Sequence, residues 1–206
     1  IKDISREARI PLKIVREVLR KNSEVGIVQL DSKSVVVKGE QRLKAAVRAI
    51  ELGADVERVC NFLTWAEFED LSILAFEFNG FSTEKHFRFS WSGRRWEIDI
   101  LGLKEPIVVS VDCKHWHRGW GRSAIDKAAK LHVERTRALA EASSSMRDKM
   151  GLGGWKHAYF TPIILSLVHG LSKFYEGVPI VPVLQLRDFL REFYVHETFM
   201  LHKTYT

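Results

Sequence analysis

Apolar and polar residues follow two kinds of spacing in the first part of the chain. Helical spacing of apolar residues predicts helices over 3–9, 11–21 and 40–50, with a further short helix over 54–63. Two β-branched runs, residues 25–30 and 34–39, are joined around Asp31 and predict a hairpin. The order helix, turn, helix, hairpin, helix predicts a small N-terminal domain over residues 1–62.

The spacing of apolar residues in the second part of the chain, residues 63–206, predicts helices packed around a sheet. Thr64 and Glu67 have the spacing of a capping box, and Gly80 is expected to end the helix that they begin. Strand-like spacing follows over 85–91, 94–103 and 107–116, then a long helix over 123–145 capped by Ser123, strands over 157–168 and 178–184, and a helix over 187–194. The order α-β-β-β-α-β-β-α predicts an α+β or α/β domain with a mixed central sheet.

Composition narrows the class of protein. Hydrophobic residues make up 46% of the 206 residues, which is enough for a packed core. No apolar run approaches the ~20 residues of a membrane helix and no signal peptide is seen, so we expect no membrane partner. The two cysteines, Cys60 and Cys113, have neither disulfide nor zinc-site spacing, which favours a cytoplasmic location.

The net charge of +6 makes nucleic acid a plausible partner, although many basic proteins bind none. Basic residues are concentrated in two places. Residues 1–62 carry 13 Lys and Arg against 9 Asp and Glu, and the stretch from Lys114 to Arg137 carries seven basic residues against two acidic ones. Each stretch adjoins a candidate functional motif.

An acidic cluster on the second and third strands of the second segment carries the candidate chemistry. Side chains alternate along a strand, so Asp112 and Lys114 share a face with Cys113 opposite, and an antiparallel hairpin brings Asp99 close to them. Charged groups in an apolar sheet need partners or a metal. Two carboxylates can hold a hard cation that activates water against a phosphodiester, and Lys114 can position that water or neutralise the developing charge.

Ordinary ion pairs are the alternative for these residues. Asp99 would then pair with Arg94 or Arg95, and Lys114 with Asp112 or Glu97. Cys113 is interpreted as a small core residue because it faces away from Asp112.

Glu69 is a further candidate on the helix that begins at Thr64. It shares a helix face with Ile73 and Phe76, so it should point inward. The alternative is an ordinary acidic residue that the first turn of a helix favours through its dipole.

A basic and aromatic segment follows Lys114. Residues 115–122, HWHRGWGR, suit a loop lying on a phosphate backbone, with aromatic rings near sugars or bases. The predicted DNA contacts of this region are His115, His117, Arg118, Arg122 and Lys127. The two histidines could bind zinc, but no third and fourth ligand lie at a suitable spacing. For Trp116 and Trp120, packing in the core is equally plausible.

The string DISREARIPLKIVREVL at residues 3–19 resembles the lac-repressor type of helix-turn-helix. Apolar residues occupy that motif's core positions, namely Ile4, Ala8, Ile10, Val15, Val18 and Leu19. Arg9 and Pro11 depart from the pattern. With the hairpin, the resemblance implies a winged helix-turn-helix whose recognition helix presents Lys13, Arg16 and Arg20 to the major groove. A solvated helix face, or a domain that binds protein, is the alternative.

The spacing D-x₁₂-D-C-K resembles the active-site motif of the PD-(D/E)xK nuclease superfamily, and residues 67–190 resemble Mrr-type restriction endonucleases. Phe68-Glu69 and Gly80-Phe81 match the helix that opens that family's core. The resemblance implies a restriction-endonuclease-like fold that binds Mg²⁺ or Mn²⁺. Its ligands would be Asp99, Asp112, the backbone carbonyl of Cys113 and Glu69, with Lys114 as a catalytic residue. Ile98, where the family is often Gly-rich, and the short Asp112 depart from the pattern.

Three functions follow as expectations. The first is a Mg²⁺-dependent DNA endonuclease, expected to be a homodimer because cutting both strands needs two sites. The second is a non-catalytic DNA-binding regulator or assembly factor on a retained nuclease fold. The third is a junction or flap resolvase that uses the same chemistry on another DNA shape.

Overall fold

A computed structural model describes residues 1–32, 34–114, 121–167, 173–192 and 200–205, with only the backbone of Leu184. The chain divides into two compact units, Ile1–Phe68 and Glu69–Thr206. The division falls inside a helix, later than the boundary expected after residue 62. No helix among the described residues combines the length and apolar character needed to cross a membrane.

The first unit contains the predicted order of elements. They are α1 (Lys2–Ala8), α2 (Leu12–Glu24), β1 (Gln29–Leu30), β2 (Val35–Val36), α3 (Gly39–Glu51), α4 (Val56–Cys60) and the start of α5 (Trp65–Phe78). The antiparallel hairpin is confirmed, with Gln29 opposite Val36. Its strands have two residues each, so the six-residue strands expected from the β-branched runs are wrong.

The turn between α1 and α2 departs from the expected packing. Arg9 ends α1 in the left-handed conformation, with φ of 54°, and Ser5 donates a hydrogen bond to the carbonyl of Ile10. Of the six residues assigned to core positions, only Val15 is buried, whereas Ile4, Ala8, Ile10 and Val18 are exposed and Leu19 is half-buried. Because α1 has seven residues and buries none of them, it offers α2 little apolar surface to pack against.

The capping box at the start of α5 is confirmed. The N–H of Thr64 donates to Oε2 of Glu67 at 2.7 Å, and the N–H of Glu67 donates to the Thr64 hydroxyl at 3.3 Å. Arg42 of α3 adds a 2.7 Å ion pair to the same carboxylate. The Arg42 hydrogen bond holds the pKa of Glu67 below its usual value.

The second unit is a mixed sheet between helices, as predicted. After α5 come β3 (Ser82–Trp91), β4 (Arg94–Lys104), β5 (Ile107–Lys114), α6 (Arg122–Ala142) with a 3₁₀ turn (Ser143–Ser145), β6 (His157–Ser166), β7 (Phe174–Tyr175), β8 (Val178–Pro182), α7 (Val183–Arg191) and β9 (Leu201–Thr204). The sheet order is β3-β4-β5-β6-β8-β7, and β9 pairs with β6. β4 runs antiparallel to β5, whereas β6 runs parallel to β5 and β8.

Several local predictions for this unit are wrong. Helix α6 begins at Arg122 after Gly121 and has no side-chain cap, so Ser123 does not cap it. Strand β8 ends at Pro182, and the next residues begin α7. The short strands β7 and β9 were not expected, because neither has the period-two apolar pattern of a half-buried strand.

Helices α5 and α6 cover opposite faces of the sheet. Leu101 and Leu103 of β4 pack in one buried cluster with Leu139 of α6. Gly102 lies between them on the strand and faces Phe76 of α5, so closely that a Cβ on this glycine would lie 2.7 Å from the ring. The glycine therefore allows α5, the helix that carries Glu69, to lie close against β4.

Candidate active site

The carboxylate of Asp112 lies between two cations. Its Oδ2 is 2.7 Å from Nζ of Lys114 on the same strand, and its Oδ1 is 3.0 Å from a guanidinium nitrogen of Arg135 on α6. Burial alone would raise the pKa of Asp112, but His132, Lys114 and Arg135 hold it below the usual value. Asp112 is thus an anion near neutral pH, and of the alternatives for Lys114 the structure contains the pair with Asp112.

Asp99 approaches the same strand from β4. The last paired residues of the hairpin are Ile100 and Val111. Asp99 is the next residue on β4, and its Oδ2 accepts a 2.8 Å hydrogen bond from the N–H of Cys113, two residues after Val111. Burial, and then the Asp112 charge, raise the pKa of Asp99 to about 6. Within the described residues Oδ1 of Asp99 accepts no hydrogen bond, and neither Arg94 nor Arg95 pairs with this acid.

The backbone is irregular where β3 passes Asp99. His86 has a φ of 53°, which is rare for a residue with a side chain. His86 and Asp99 are opposite each other but do not form a pair in the ladder, although the residues on either side of them do. Ile98 packs in the same buried cluster as Leu101, although regular alternation would place these two residues on opposite faces. The alternation therefore breaks near Asp99.

Glu69 is buried beneath this irregular segment, as its helix position predicted. Its Oε2 lies 3.1 Å from Nζ of Lys85 and 3.4 Å from Nε2 of His86. Lys85 also pairs with Asp70 at 2.7 Å, and Nδ1 of His86 lies 3.1 Å from Glu97. These partners were not expected, because Lys85 and His86 follow Glu69 by 16 and 17 residues and lie on another element.

The charges of three acids act on the thiol of Cys113. Its thiol is fully buried, and burial raises its pKa well above the usual value, followed by the charges of Asp99, Glu69 and Asp112. A thiol held protonated is a poor nucleophile, which agrees with the interpretation of Cys113 as a core residue. Asp99, Asp112 and Glu69 are thus close enough to this thiol for their charges to affect it.

Helix α6 contributes two residues that the sequence did not single out. Nε2 of His132 donates a 2.8 Å hydrogen bond to the carbonyl of Ser110, and burial lowers the pKa of this imidazole to about 4. Arg135 lies on the same helix face, three residues later, and contacts Asp112. The sequence feature that could have identified them is their spacing of three residues, which puts a histidine and an arginine on one face of the helix that follows the acidic strand.

The predicted DNA-contacting residues are exposed wherever the structure describes them. Lys13, Arg16 and Arg20 lie on the outer side of α2, and Arg20 pairs with Glu24. Arg122 and Lys127 are exposed at the start of α6. His115, His117 and Arg118 lie outside the described residues.

The sequence implied a hard cation at this site, and the described side chains show how far their oxygens are available to bind one. Among the described residues no three His, Cys, Asp or Glu side chains form a ready metal-binding group. A cation would stabilise the charged form of Asp99, which burial disfavours, and one carboxylate oxygen has no hydrogen bond from the part of the chain that the structure describes. Asp112 fits after Lys114 or Arg135 gives up one of its oxygens. Asp99 thus offers one oxygen to a divalent cation, whereas Asp112 offers one only after a rearrangement.

Comparisons with known proteins place no function on the chain. No model of a protein family matches it. An uncharacterized protein of Archaeoglobus fulgidus is 28% identical over 137 residues, which cover 66% of this chain and 97% of the relative.

Three solved structures are weakly similar to this chain. A protein of unknown function called AF1548 has a TM-score of 0.33 and 16% identity, over 48% of this chain and 45% of its own. The protein VC1899 of Vibrio cholerae has a TM-score of 0.36 and 13% identity, over 87% of this chain and 41% of its own. The protein SSO0001 has a TM-score of 0.22 and 11% identity, over 87% and 86%. The chain thus spans less than half of the first two, and the candidate site depends on its own geometry.

Proposed function

We propose that the chain is a Mg²⁺-dependent DNA endonuclease whose active site contains Asp99, Asp112 and Lys114. The observation that carries the proposal is the meeting of two acids and a lysine where the β4–β5 hairpin stops pairing. An ordinary sheet has no need of three charged groups there, because each costs free energy to bury. In this proposal the second unit has a restriction-endonuclease-like fold and the first is a winged helix-turn-helix.

Each residue of the site then has a role. Asp99, Asp112 and the carbonyl of Cys113 would hold Mg²⁺ or Mn²⁺, which supplies Lewis-acid polarisation of the scissile phosphate and activates water. The hydrogen bond from Cys113 fixes the direction of the Asp99 carboxylate. The ammonium of Lys114, half-buried beside Asp112, would orient the attacking water or stabilise charge on the phosphorus.

Glu69 would supply a further carboxylate, directly or through water. Lys85 and His86 lie against it and restrict its orientation. Since they come from β3, they also connect α5 to the strand that passes Asp99. This connection supports a positioned carboxylate over an incidental acidic residue in the first turn of a helix.

Basic residues at the surface would hold the DNA. Lys13 and Arg16 on α2 are exposed and have no acidic partner among the described residues, as expected for side chains that meet phosphates or bases. Arg122 and Lys127 would contact the backbone near the site. Cleavage of both strands would require a homodimer.

A second candidate is a non-catalytic DNA-binding regulator on the same fold. It is favoured by the fact that both oxygens of Asp112 contact cations, an arrangement that also suits a purely structural ion pair. A third candidate, a junction or flap resolvase, differs from the first only in the DNA shape that is cut.

One assay separates these candidates. The full chain is incubated with plain duplex, flap and four-way junction DNA, with Mg²⁺ or with EDTA. An endonuclease cuts duplex only with Mg²⁺, and a resolvase prefers the branched forms. Binding of any substrate without Mg²⁺-dependent cleavage would contradict the proposal and favour the regulator.

A further inference from the structure

The single carboxylate of Asp112 is shared by two basic side chains. One carboxylate lies within 3.0 Å of both Lys114 and Arg135. The Asp112 side chain is 5% exposed, whereas those of Lys114 and Arg135 are 28% and 19% exposed. The two cations therefore reach towards solvent from a buried anion, and their charges act on Asp99 as well.

The position of Arg135 links both proposed metal ligands. It contacts Asp112 directly, and its charge acts on Asp99 as well. A cation that arrives at these acids is repelled by Arg135 and competes with it for Oδ1 of Asp112. Arg135 therefore has to lose its partner, at least in part, when Asp112 binds a cation.

We infer that Arg135 is a phosphate-binding residue of this site, held by Asp112 until a divalent cation takes over that carboxylate. The inference rests on the proposed nuclease function. A guanidinium presents a planar fork of donors that matches phosphate oxygens, and it keeps its charge at every relevant pH. Once released, the guanidinium of Arg135 would be available to bind a phosphate oxygen at this site.

This arrangement predicts effects of opposite sign on two measurements. Replacing Arg135 removes a competitor for Asp112, so affinity for the cation rises. The same change removes a contact to the phosphate, so cleavage slows. Breaking a purely structural ion pair would also free Asp112 for the cation, but DNA would then not protect Arg135 from chemical modification.

Binding of Mn²⁺ alone is measured by titration calorimetry on the full chain. Arg135→Gln is expected to bind Mn²⁺ about three- to tenfold more tightly than the wild type. Arg135→Lys, which keeps the charge, should stay near the wild type, and Arg95→Gln is the matched control on an exposed arginine of β4. Asp112→Asn should lose most of the binding.

Cleavage of duplex DNA with Mg²⁺ is measured on the same proteins. Arg135→Gln is expected to lower kcat about 10²-fold, as for loss of one donor to a transition-state oxyanion. Arg135→Lys should recover part of kcat, because a point charge replaces the fork. Arg95→Gln should leave kcat and KM unchanged.

A measurement on the wild type avoids any folding defect of the variants. An arginine-selective dicarbonyl reagent is applied and the modified peptides are mapped. Arg135 is expected to react slowly in the metal-free protein, faster with Mn²⁺, and slowly again when duplex DNA is added with Ca²⁺.

The outcomes separate this inference from the proposed function. If Mn²⁺ binds and DNA is cut, but Arg135→Gln changes neither and Mn²⁺ leaves Arg135 reactivity unaltered, the inference is wrong and the nuclease stands. If the wild type neither binds Mn²⁺ through Asp112 nor cuts DNA, both are wrong.

Discussion

The backbone N–H of Cys113 donates a 2.8 Å hydrogen bond to Oδ2 of Asp99, immediately after the last pair of the β4–β5 ladder. The side chain thus replaces a strand partner at the point where pairing stops. This bond turns the Asp99 carboxylate towards the strand that carries Asp112 and Lys114. The end of pairing between β4 and β5 therefore allows Asp99 to reach the backbone beside Asp112 and Lys114.

Replacing Gly102 by alanine is expected to disturb the site from a distance. The new Cβ would lie 2.7 and 2.8 Å from two ring carbons of Phe76, so α5 must shift away from β4. Overpacking of this kind costs about 1–3 kcal/mol, and it displaces the helix that carries Glu69. Urea unfolding should show the loss of stability, and Mg²⁺-dependent cleavage should fall.

Two further variants check that steric contact is the cause. Gly39→Ala introduces a Cβ with nothing within 4 Å, so it should not destabilise the chain. Phe76→Leu added to Gly102→Ala should restore part of the stability. Equal stability of the wild type and Gly102→Ala would show that the packing of α5 on β4 is looser than described.

Mild acid is expected to destabilise the chain through His132. Burial lowers the pKa of this imidazole from 6.5 to about 4, so between these values the unfolded chain binds a proton that the folded chain does not. Stability due to neutral His132 is therefore present above pH 6.5 and is lost as the pH falls towards 4. The full effect is up to about 3 kcal/mol.

His132→Gln isolates this effect, because it keeps a donor for the Ser110 carbonyl and does not titrate. Asp99, whose raised pKa acts in the opposite direction, is present in both proteins. The free energy of unfolding of the wild type minus that of His132→Gln should fall steadily from pH 7 to pH 4. A constant difference over that range would contradict the neutral, buried imidazole.

DNA binding by the first unit is expected to depend on basic residues of α2 that have no acidic partner in the described part of the chain. Lys13→Ala and Arg16→Ala should each reduce the slope of log affinity against log salt concentration by about 1, because each removes one phosphate contact. Arg20→Ala should have a smaller effect, since Arg20 already pairs with Glu24. Fluorescence anisotropy of labelled duplex with Ca²⁺ measures all three, and equal slopes in every variant would contradict a DNA-binding role for α2.

Much of the second unit could be predicted from local patterns. Period-two spacing located β3, β4 and β5, and the short turns between them fixed their antiparallel pairing, which brought Asp99 near Asp112. The capping box between Thr64 and Glu67 was readable because both partners lie three residues apart. These features are local in sequence and need no knowledge of tertiary packing.

The remaining features depend on contacts distant in sequence. The partners of Asp112 and Glu69 come from elements whose position depends on the whole sheet, so Arg135 and Lys85 were not foreseen. Val18 of α2 was placed correctly on an apolar helix face by its periodicity, but it is exposed in the structure. Periodicity specifies a face, whereas burial depends on what packs against it.

We propose that Asp112 acts in phosphodiester hydrolysis. The most direct test is the rate at which supercoiled plasmid becomes nicked with Mg²⁺, compared between the wild type and Asp112→Ala, with EDTA as a blank. We expect the wild type to nick the plasmid and Asp112→Ala to be slower by about 10²-fold or more while it still binds DNA. Equal nicking by both proteins, or none by either, would contradict the account.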